Sequence, residues 1–447
     1  MTNLVRIVAQ HVDEQTGKII ESVVCREEKI VTPTKLKDLG YLHSEQINML
    51  SSIQDFKIKH QSILINQNNS CPKCGKRSIS QGIRKSTFHA ALTDHEVFIR
   101  RRRCNCGWGS SYTLDGIYGS SMHPDLLEKQ ALQGTDNSYR NASKNLNAES
   151  NSIRPINNDD RIRKSVSKVG DVVGIQKLNS IEQYKVSKAV KELIVVVDGG
   201  HVKSKKEDSR SFEAMIATVY APKNIKFIDK NHNEITQKTS VASSMSDNQE
   251  TIKQLLLNAC RKEGMNATVT RLTCITDGAS NCWSITKTLE FYSKNLTHVL
   301  DWFHITKKFT VIHKTLLEPL KERLEKVKWH LWHGASTMGL TRLEELIKDV
   351  SDKITSDRLT SLYEYINRNK PYLVNYEKRQ SNGLPFTSTV AETSVNSLIN
   401  YRQKCNQKMQ WSRSGSHNIL QIRTSVFSKT WQNDWEMAQN KIYKLAA

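Results

Sequence analysis

Read from its N-terminus, the chain first alternates apolar and polar residues as strands do, in "LVRIVAQHV" and "KIIESVVCR". The spacing turns helical between Ser44 and Ile65. From Pro124 to about Val173 it is helical in short pieces, "PDLLEKQALQG", "SYRNASKNLNA" and "NDDRIRKSVSKVGDVV". From Leu193 it changes again. Strand-like "LIVVVD", "SFEAMIATVYAP" and "IKFID" precede a helix around Asn248–Glu263, the strand "TRLTCITD", the helix "SNCWSITKTLEFY" and the strand "THVLD". Strands first neighbouring one another and then alternating with helices predict a mixed α/β sheet with helices on its faces. From Trp302 to about Gly383 the pattern is all helical, and a helix opening near Thr389 leads into a basic C-terminal stretch. Segments follow at 1–66 (α/β, without a motif), 67–120, 121–180, 190–303, 304–385 and 386–447.

Composition narrows the partners. In 447 residues, 66 Lys and Arg face 45 Asp and Glu, a net charge of +21. Such an excess repels itself and calls for an anionic partner, nucleic acid first and an anionic membrane surface second. The apolar fraction of 37% suffices for real cores. No apolar run approaches the roughly 20 residues of a membrane span, and "MTNLVRIVAQHVDEQ" lacks a signal-peptide core. A cytoplasmic, nucleoid-associated protein without membrane attachment is expected.

Nine cysteines without a secretory signal argue against a disulfide framework. Four form two tight pairs, Cys71-x-x-Cys74 and Cys104-x-Cys106, each followed by a glycine. Two thiolates so spaced can hold one side of a tetrahedral ion, and a second pair closes the site, so a structural zinc in a zinc ribbon is expected. Cys25, Cys260, Cys274, Cys282 and Cys405 read as ordinary buried thiols. Residues 71–110 carry nine Lys and Arg, among them Arg100, Arg101, Arg102 and Arg103. A basic run is often only a solvated face, but beside a rigid zinc site in this chain it reads as phosphate-binding.

Downstream, three short helices with polar turns, with Gly134 after the first and Ser138 before the second, suit a helix-turn-helix-like segment or a small helical connector. In the first case Arg161, Arg163 and Lys164 would meet DNA. In the C-terminal stretch Arg402, Lys404 and Arg413 offer further phosphate affinity.

Asp198 ends "LIVVV" and Asp277 ends "RLTCIT", each followed at once by glycine. Alone, such an ending is usually a turn. On neighbouring strands it would bring two carboxylates together, a costly arrangement unless a cation such as Mg²⁺ lies between them. Two candidates exist for a third acid. Glu392 opens the last predicted helix, where Thr389-x-x-Glu392 is also a capping-box pattern. Asp301 ends the strand "THVLD".

"VVDGGHVKS", "ITDGASNCW", "VLDWFHITKK" and "STVAETSVNSLINYRQKCNQKMQWSRSGSHNILQIR" resemble the DDE transposases of bacterial insertion sequences, most nearly the ISKra-type group related to Mutator-like elements. The resemblance covers about Leu193 to Arg423, and more loosely the cysteine pairs and the helical segment. It implies an RNase H-like mixed sheet with flanking helices and an all-helical insertion. The catalytic residues would be Asp198, Asp277 and Glu392, holding two Mg²⁺ (or Mn²⁺), with Asp301 and His304 in support. The implied partners are the terminal inverted repeats of a transposon and target DNA, bound by a dimer or higher oligomer. The implied reaction is strand cleavage and strand transfer. A zinc-ribbon DNA-binding regulator with an inactive RNase H-like domain, a metal-dependent nuclease without strand transfer and a membrane-surface protein are the competing readings. Residues 1–66 resemble nothing named.

Overall fold

A computed structural model describes residues 2–30, 35–36, 39–179, 188–205, 209–229, 232–389, 396–404 and 409–444. The chain forms two compact units, residues 1–172 with 433–447, and residues 173–432. The basic C-terminal stretch expected as one piece is therefore divided between them.

In the first unit, β1 (Thr2–Val12) and β2 (Ile19–Ile30) pair antiparallel across a turn in which the Asp13 N–H donates to the Lys18 carbonyl (2.9 Å). Helix α1 (His43–Gln67) starts where its spacing predicts. The Glu45 carboxylate returns to the Leu42 N–H (2.6 Å), satisfying one of the donors a helix start leaves open. A second hairpin, β3 (Ile79–His89) and β4 (Asp94–Arg103), turns one side inward. His95, Val97 and Ile99 are buried in alternation with exposed Glu96 and Phe98. The short helix α2 (Leu114–Tyr118) packs Leu114 against Val97 and Ile99.

Helices α3 (Pro124–Asp136), α4 (Tyr139–Ala148) and α5 (Asp159–Asn179) realise the three predicted helical pieces. The Ser138 hydroxyl accepts from the Asn141 N–H (3.2 Å), and the Asn158 side chain accepts from the Arg161 N–H (2.8 Å), as N-caps do. Gly134 does not terminate α3 as expected. It lies inside the helix, where an added Cβ would come within 2.7 Å of Ile162 and Val166. Its purpose is close helix packing. Beside it the buried Gln130 donates to the Ile156 carbonyl (2.8 Å) and accepts from the Ser165 hydroxyl (2.7 Å).

The second unit is built on a five-stranded mixed sheet. Its strands are β5 (Glu192–Lys203), β6 (Ser211–Tyr220), β9 (Thr239–Ser243), β10 (Arg271–Thr276) and β11 (Asn295–Leu300), in spatial order β11-β10-β5-β6-β9. β10 is parallel to β5 and β11, whereas β6 is antiparallel to β5 and β9. A small hairpin, β7 (Ile225–Asp229) and β8 (His232–Ile235), forms a separate two-stranded sheet.

The near-continuous apolar run of β5 is what a strand covered on both faces requires. Ile194 and Val196 point into one core, and Leu193, Val195 and Val197 into another. The first core is closed by α8 (Trp302–His313), α9 (Glu318–Trp332), α10 (Ser336–Lys348), α11 (Lys353–Arg368) and α12 (Tyr376–Ser381), which are the all-helical stretch expected from the sequence. The second is closed by α6 (Glu250–Lys262) and α7 (Ser280–Lys287). A π-helical turn (Asn396–Asn400), one turn at Tyr401–Gln403 and α13 (Arg413–Phe427) follow, whereas α14 (Trp431–Ile442) belongs to the first unit from residue 433.

Candidate functional site

The register of three adjacent parallel strands aligns three aspartates. Val197 is level with Thr276, and Thr276 with Leu300. The residues that come next are Asp198, still within β5, and Asp277 and Asp301, which directly follow the ends of β10 and β11, so three aspartates come level where the parallel strands end.

Asp198 does not end its strand. β5 runs on to Lys203, still paired with β6, so the two glycines after Asp198 make no turn. They make room: a Cβ on Gly199 would meet the Glu213 carboxylate at 2.4 Å, and one on Gly200 would meet Ile399 at 2.8 Å. After Asp277 the chain does turn. Gly278 has φ +92°, the left-handed region glycine favours, and α7 follows.

The three carboxylates differ. Asp198 Oδ1 accepts from the Gly199 N–H (2.7 Å), and Asp277 Oδ1 from the Ala279 N–H (2.9 Å). Asp301 is fully buried. Its Oδ1 accepts from the Phe303 and Ser388 N–H groups (both 3.0 Å), and its Oδ2 from His304 Nδ1 (2.6 Å) and the Ser388 hydroxyl. All four of its acceptor positions are thereby used, which leaves none for a metal ion. Of the two candidates for a third acid, Asp301 is the one the structure equips to position a histidine. Glu392 lies outside the described residues. On either side of it, Ser388 is bound to Asp301, and Ile399 packs over Gly200, two residues past Asp198.

Electrostatics follow from this crowding. Burial raises the Asp198 pKa; the His304 charge and the Gly199 N–H oppose it, while the charges of Asp277 and Asp301 add to it. Burial likewise acts against a charged Asp301, but the hydrogen bonds of His304 and Ser388 outweigh it and hold that carboxyl low. Burial also disfavours charge on His304. The bond to Asp301, with the charges of Asp301, Asp198 and Asp277, nevertheless raises its pKa.

Several neighbours carry no motif that marks them. Burial, with the Asp277 and Asp198 charges, pushes the Cys282 thiol up, so this cysteine is indeed a buried thiol, but one placed against the acids. Glu213 accepts from Asn281 Nδ2 on the opposite face from Asp198. A lone acid within the apolar strand "SFEAMIATVY" is its only signal. From the helical layer, the Tyr365 hydroxyl donates to the Asp277 carbonyl (2.8 Å) and that of Tyr376 to the Leu300 carbonyl (2.8 Å), bracing two strand ends.

In the first unit, Cys71, Cys74, Cys104 and Cys106 come together at the base of the β3–β4 hairpin. Among the described residues this is the one group of three or more potential metal ligands whose ligand atoms all lie within 4.8 Å of one another. Sγ separations of 3.6 Å (Cys71 to Cys106) and 3.5 Å (Cys74 to Cys104) are close to the roughly 3.8 Å edge of a tetrahedron with about 2.3 Å zinc–sulfur bonds. Gly75 (φ +71°) and Gly107 (φ +87°) turn the two knuckles, and the Gly75 N–H donates to the Cys71 carbonyl (2.8 Å). The Lys76 backbone favours a Cys74 thiolate, but the neighbouring sulfurs outweigh it and push that thiol up to about 12. A bound cation removes this conflict. The group could hold a structural metal such as Zn²⁺.

The expected phosphate contacts divide. Arg101 and Arg103 are exposed, and Arg84 and Arg101 flank the Tyr112 ring at 4.6 and 5.4 Å. Arg100 is half-buried. Arg102 is buried and donates to the Asn66 carbonyl (2.9 Å), so it is a packing residue. Arg161 is exposed, and Arg163 and Lys164 pair with Asp160 on the surface of α5. Arg402 is buried against the Trp411 ring (4.8 Å), which removes it from any DNA surface. Lys404 is exposed, and the half-buried Arg413 donates to the Ser244 carbonyl (3.2 Å). No helix among the described residues is long and apolar enough to cross a membrane.

Fold and site together define a mixed α/β protein with a row of aspartates on its central sheet and a separate four-cysteine group. No family model matches the chain, and no curated protein matches it.

Proposed function

We propose that this protein is a DDE-type transposase, which binds transposon-end DNA and catalyses metal-dependent strand cleavage and strand transfer on an RNase H-like core. The observation that carries the reading is the side-by-side position of Asp198 and Asp277 on adjacent parallel strands, with Ser388 and Ile399, on either side of Glu392, packed at the same edge. Asp198, Asp277 and Glu392 would hold two Mg²⁺ or Mn²⁺ ions. Two such close carboxylates, one with its pKa raised by burial and by its acidic neighbours, suit a divalent cation. Ions held there would supply the chemistry to activate a water or a 3′-hydroxyl and to stabilise the leaving oxygen of an in-line phosphodiester displacement.

The remaining residues position and brace. Asp301 fixes the His304 ring through Nδ1, leaving Nε2 as its one other ring nitrogen for a substrate contact. Tyr365 and Tyr376 hold the ends of β10 and β11 from the helical layer. In the first unit, the four-cysteine group reads as a zinc ribbon that stiffens a hairpin bearing Arg84, Arg101 and Arg103, and α5 offers Arg161 in the helix-turn-helix-like segment. The net charge of +21 supports DNA as the partner.

The deciding experiment incubates the protein with the DNA that flanks its own gene and Mg²⁺, then maps the cut ends. Cleavage at inverted repeats followed by joining to a second DNA is expected. Cleavage without joining would leave a nuclease. Binding without either would leave a regulator with an inactive core.

A further inference from the structure

Beside the aspartates, the helical layer opens a groove of about 610 Å³ between α8 and α11. One face of α8 lines it through His304, Lys307, Lys308 and Val311, the i, i+3, i+4, i+7 spacing of a single helical stripe. Ile354, Asp357 and Arg358 of α11 repeat that spacing on the facing wall. Stripes so spaced normally carry the apolar side chains that seal two helices together. Here they carry charge, and the space between them is left open above the buried Ile312 and Leu362.

The groove is cationic. Lys307, Lys308 and Arg358 meet one carboxylate on its lining, Asp357. None of the three cations lies in an ion pair among the described residues. Lys307 Nζ and Lys308 Nζ lie instead over the rings of Phe303 (5.6 Å) and Tyr365 (4.4 Å). On the same walls Val311 and Ile354 are 56% and 64% exposed. Unpaired cations beside exposed aliphatic side chains suit a ligand that carries anionic and flat apolar groups in turn. Both helices also reach the acids. His304 is bound to Asp301 through Nδ1 (2.6 Å), and Tyr365, under Lys308, donates to the Asp277 carbonyl (2.8 Å).

We propose that this groove holds an unpaired DNA strand leading away from the aspartates, its phosphates on Lys307, Lys308 and Arg358 and a base against Val311 and Ile354. The assignment rests on the phosphodiester reading of Asp198 and Asp277. Uncompensated positive charge selects a polyanion. Size selects an unpaired strand over a duplex: the volume falls within the roughly 300–1,000 Å³ of small-molecule sites, which admits a nucleotide or two but not the body of a double helix. The aliphatic walls select a nucleic acid over an acidic peptide, because a strand offers the flat face of a base beside each phosphate.

Alkylation of the thiol introduced by Ile354→Cys tests this in the full chain, read at that residue by peptide mass spectrometry without added divalent metal. Ile354 is exposed in the first turn of α11, so the exchange should leave the fold unchanged, and Val311→Cys gives the same readout from α8. A single-stranded DNA of about 12 nucleotides should slow alkylation about tenfold. A blunt duplex of the same length, or an acidic peptide, should not. Adding Lys307→Ala/Arg358→Ala should abolish the protection, whereas adding Lys348→Ala, at an exposed lysine of α10, should leave it. No protection by the single strand, equal protection by duplex or peptide, or protection that survives Lys307→Ala/Arg358→Ala would overturn the proposal. Protection in a chain that never cleaves DNA with Mg²⁺ would refute the transposase reading and uphold the groove; cleavage without protection would do the reverse.

Discussion

A single amide-for-carboxylate exchange separates the two roles open to Glu392. Glutamine can still return to a helix N-cap, so a capping residue would tolerate Glu392→Gln. A metal ligand would not, because hard cations bind a neutral amide poorly. The expected outcome is loss of strand cleavage by several orders of magnitude, with melting temperature and DNA affinity near wild type. Robust Mg²⁺-dependent cleavage by the variant would remove Glu392 from the site. Asp301→Asn should behave differently. An amide cannot accept from all four donors now on Asp301, so His304 and Ser388 lose their anchor. Activity should fall about 10- to 100-fold, as for residues that orient a site from behind, and thermal stability should fall with it. Melting curves beside single-turnover cleavage distinguish the two variants.

At the scale of elements, the β3–β4 hairpin depends on polar ties at both ends. At its base, Cys71→Ser/Cys74→Ser should abolish zinc binding, read by elemental analysis, and lower the melting temperature of the first unit. Full zinc retention by that variant would refute the four-cysteine assignment. At its tip the buried Arg154 guanidinium donates to Asp94 through Nε (3.1 Å) and to the Ala91 carbonyl (3.0 Å), while His89 Nδ1 lies 2.9 Å from the same carboxylate. Burial acts to raise the Asp94 pKa, but His89 and Arg154 outweigh it and hold it below 3.8. A carboxylate with a depressed folded pKa stabilises fully above its unfolded pKa and loses that contribution as pH falls through the folded value. Asp94→Asn should therefore lower stability near pH 7. The gap to wild type should close as pH drops below 3.8, measured by urea unfolding across pH. A gap independent of pH would mean that the variant disturbs packing and not charge.

For the whole molecule the proposed function turns on how its charge would meet DNA. Binding should weaken steeply with salt, with log affinity linear in log salt. Arg101→Ala/Arg103→Ala should flatten the slope by about 2, close to one for each phosphate no longer neutralised. Arg102→Ala should leave the slope unchanged and lower stability instead, because that side chain is buried on Asn66. Equal slopes for all three proteins would place the phosphate-binding cations elsewhere. The division into units sets a limit on such charge counting. Residues 433–447 belong with residues 1–172, so a stretch continuous in sequence is divided between the two compact units.

What the sequence by itself determined about this protein is local. Apolar runs and their periods are properties of neighbouring residues, so "LIVVV", "RLTCIT" and the helices between Trp302 and about Gly383 form where their spacing predicts. Caps such as Ser138 and the glycine knuckles at Gly75 and Gly107 are equally local, since each rests on a hydrogen bond or backbone angle within a few residues. Only the tertiary structure decided the rest, because it depends on residues far apart in the chain meeting in space. The level of Asp198, Asp277 and Asp301 is set by strand register across a sheet. The reason for Gly199 and Gly200 lies in Glu213 and Ile399, and that for Gly134 in Ile162 and Val166. The burial of Arg102 and Arg402 has the same origin: a side chain's partners are chosen by packing, which no window along the sequence contains.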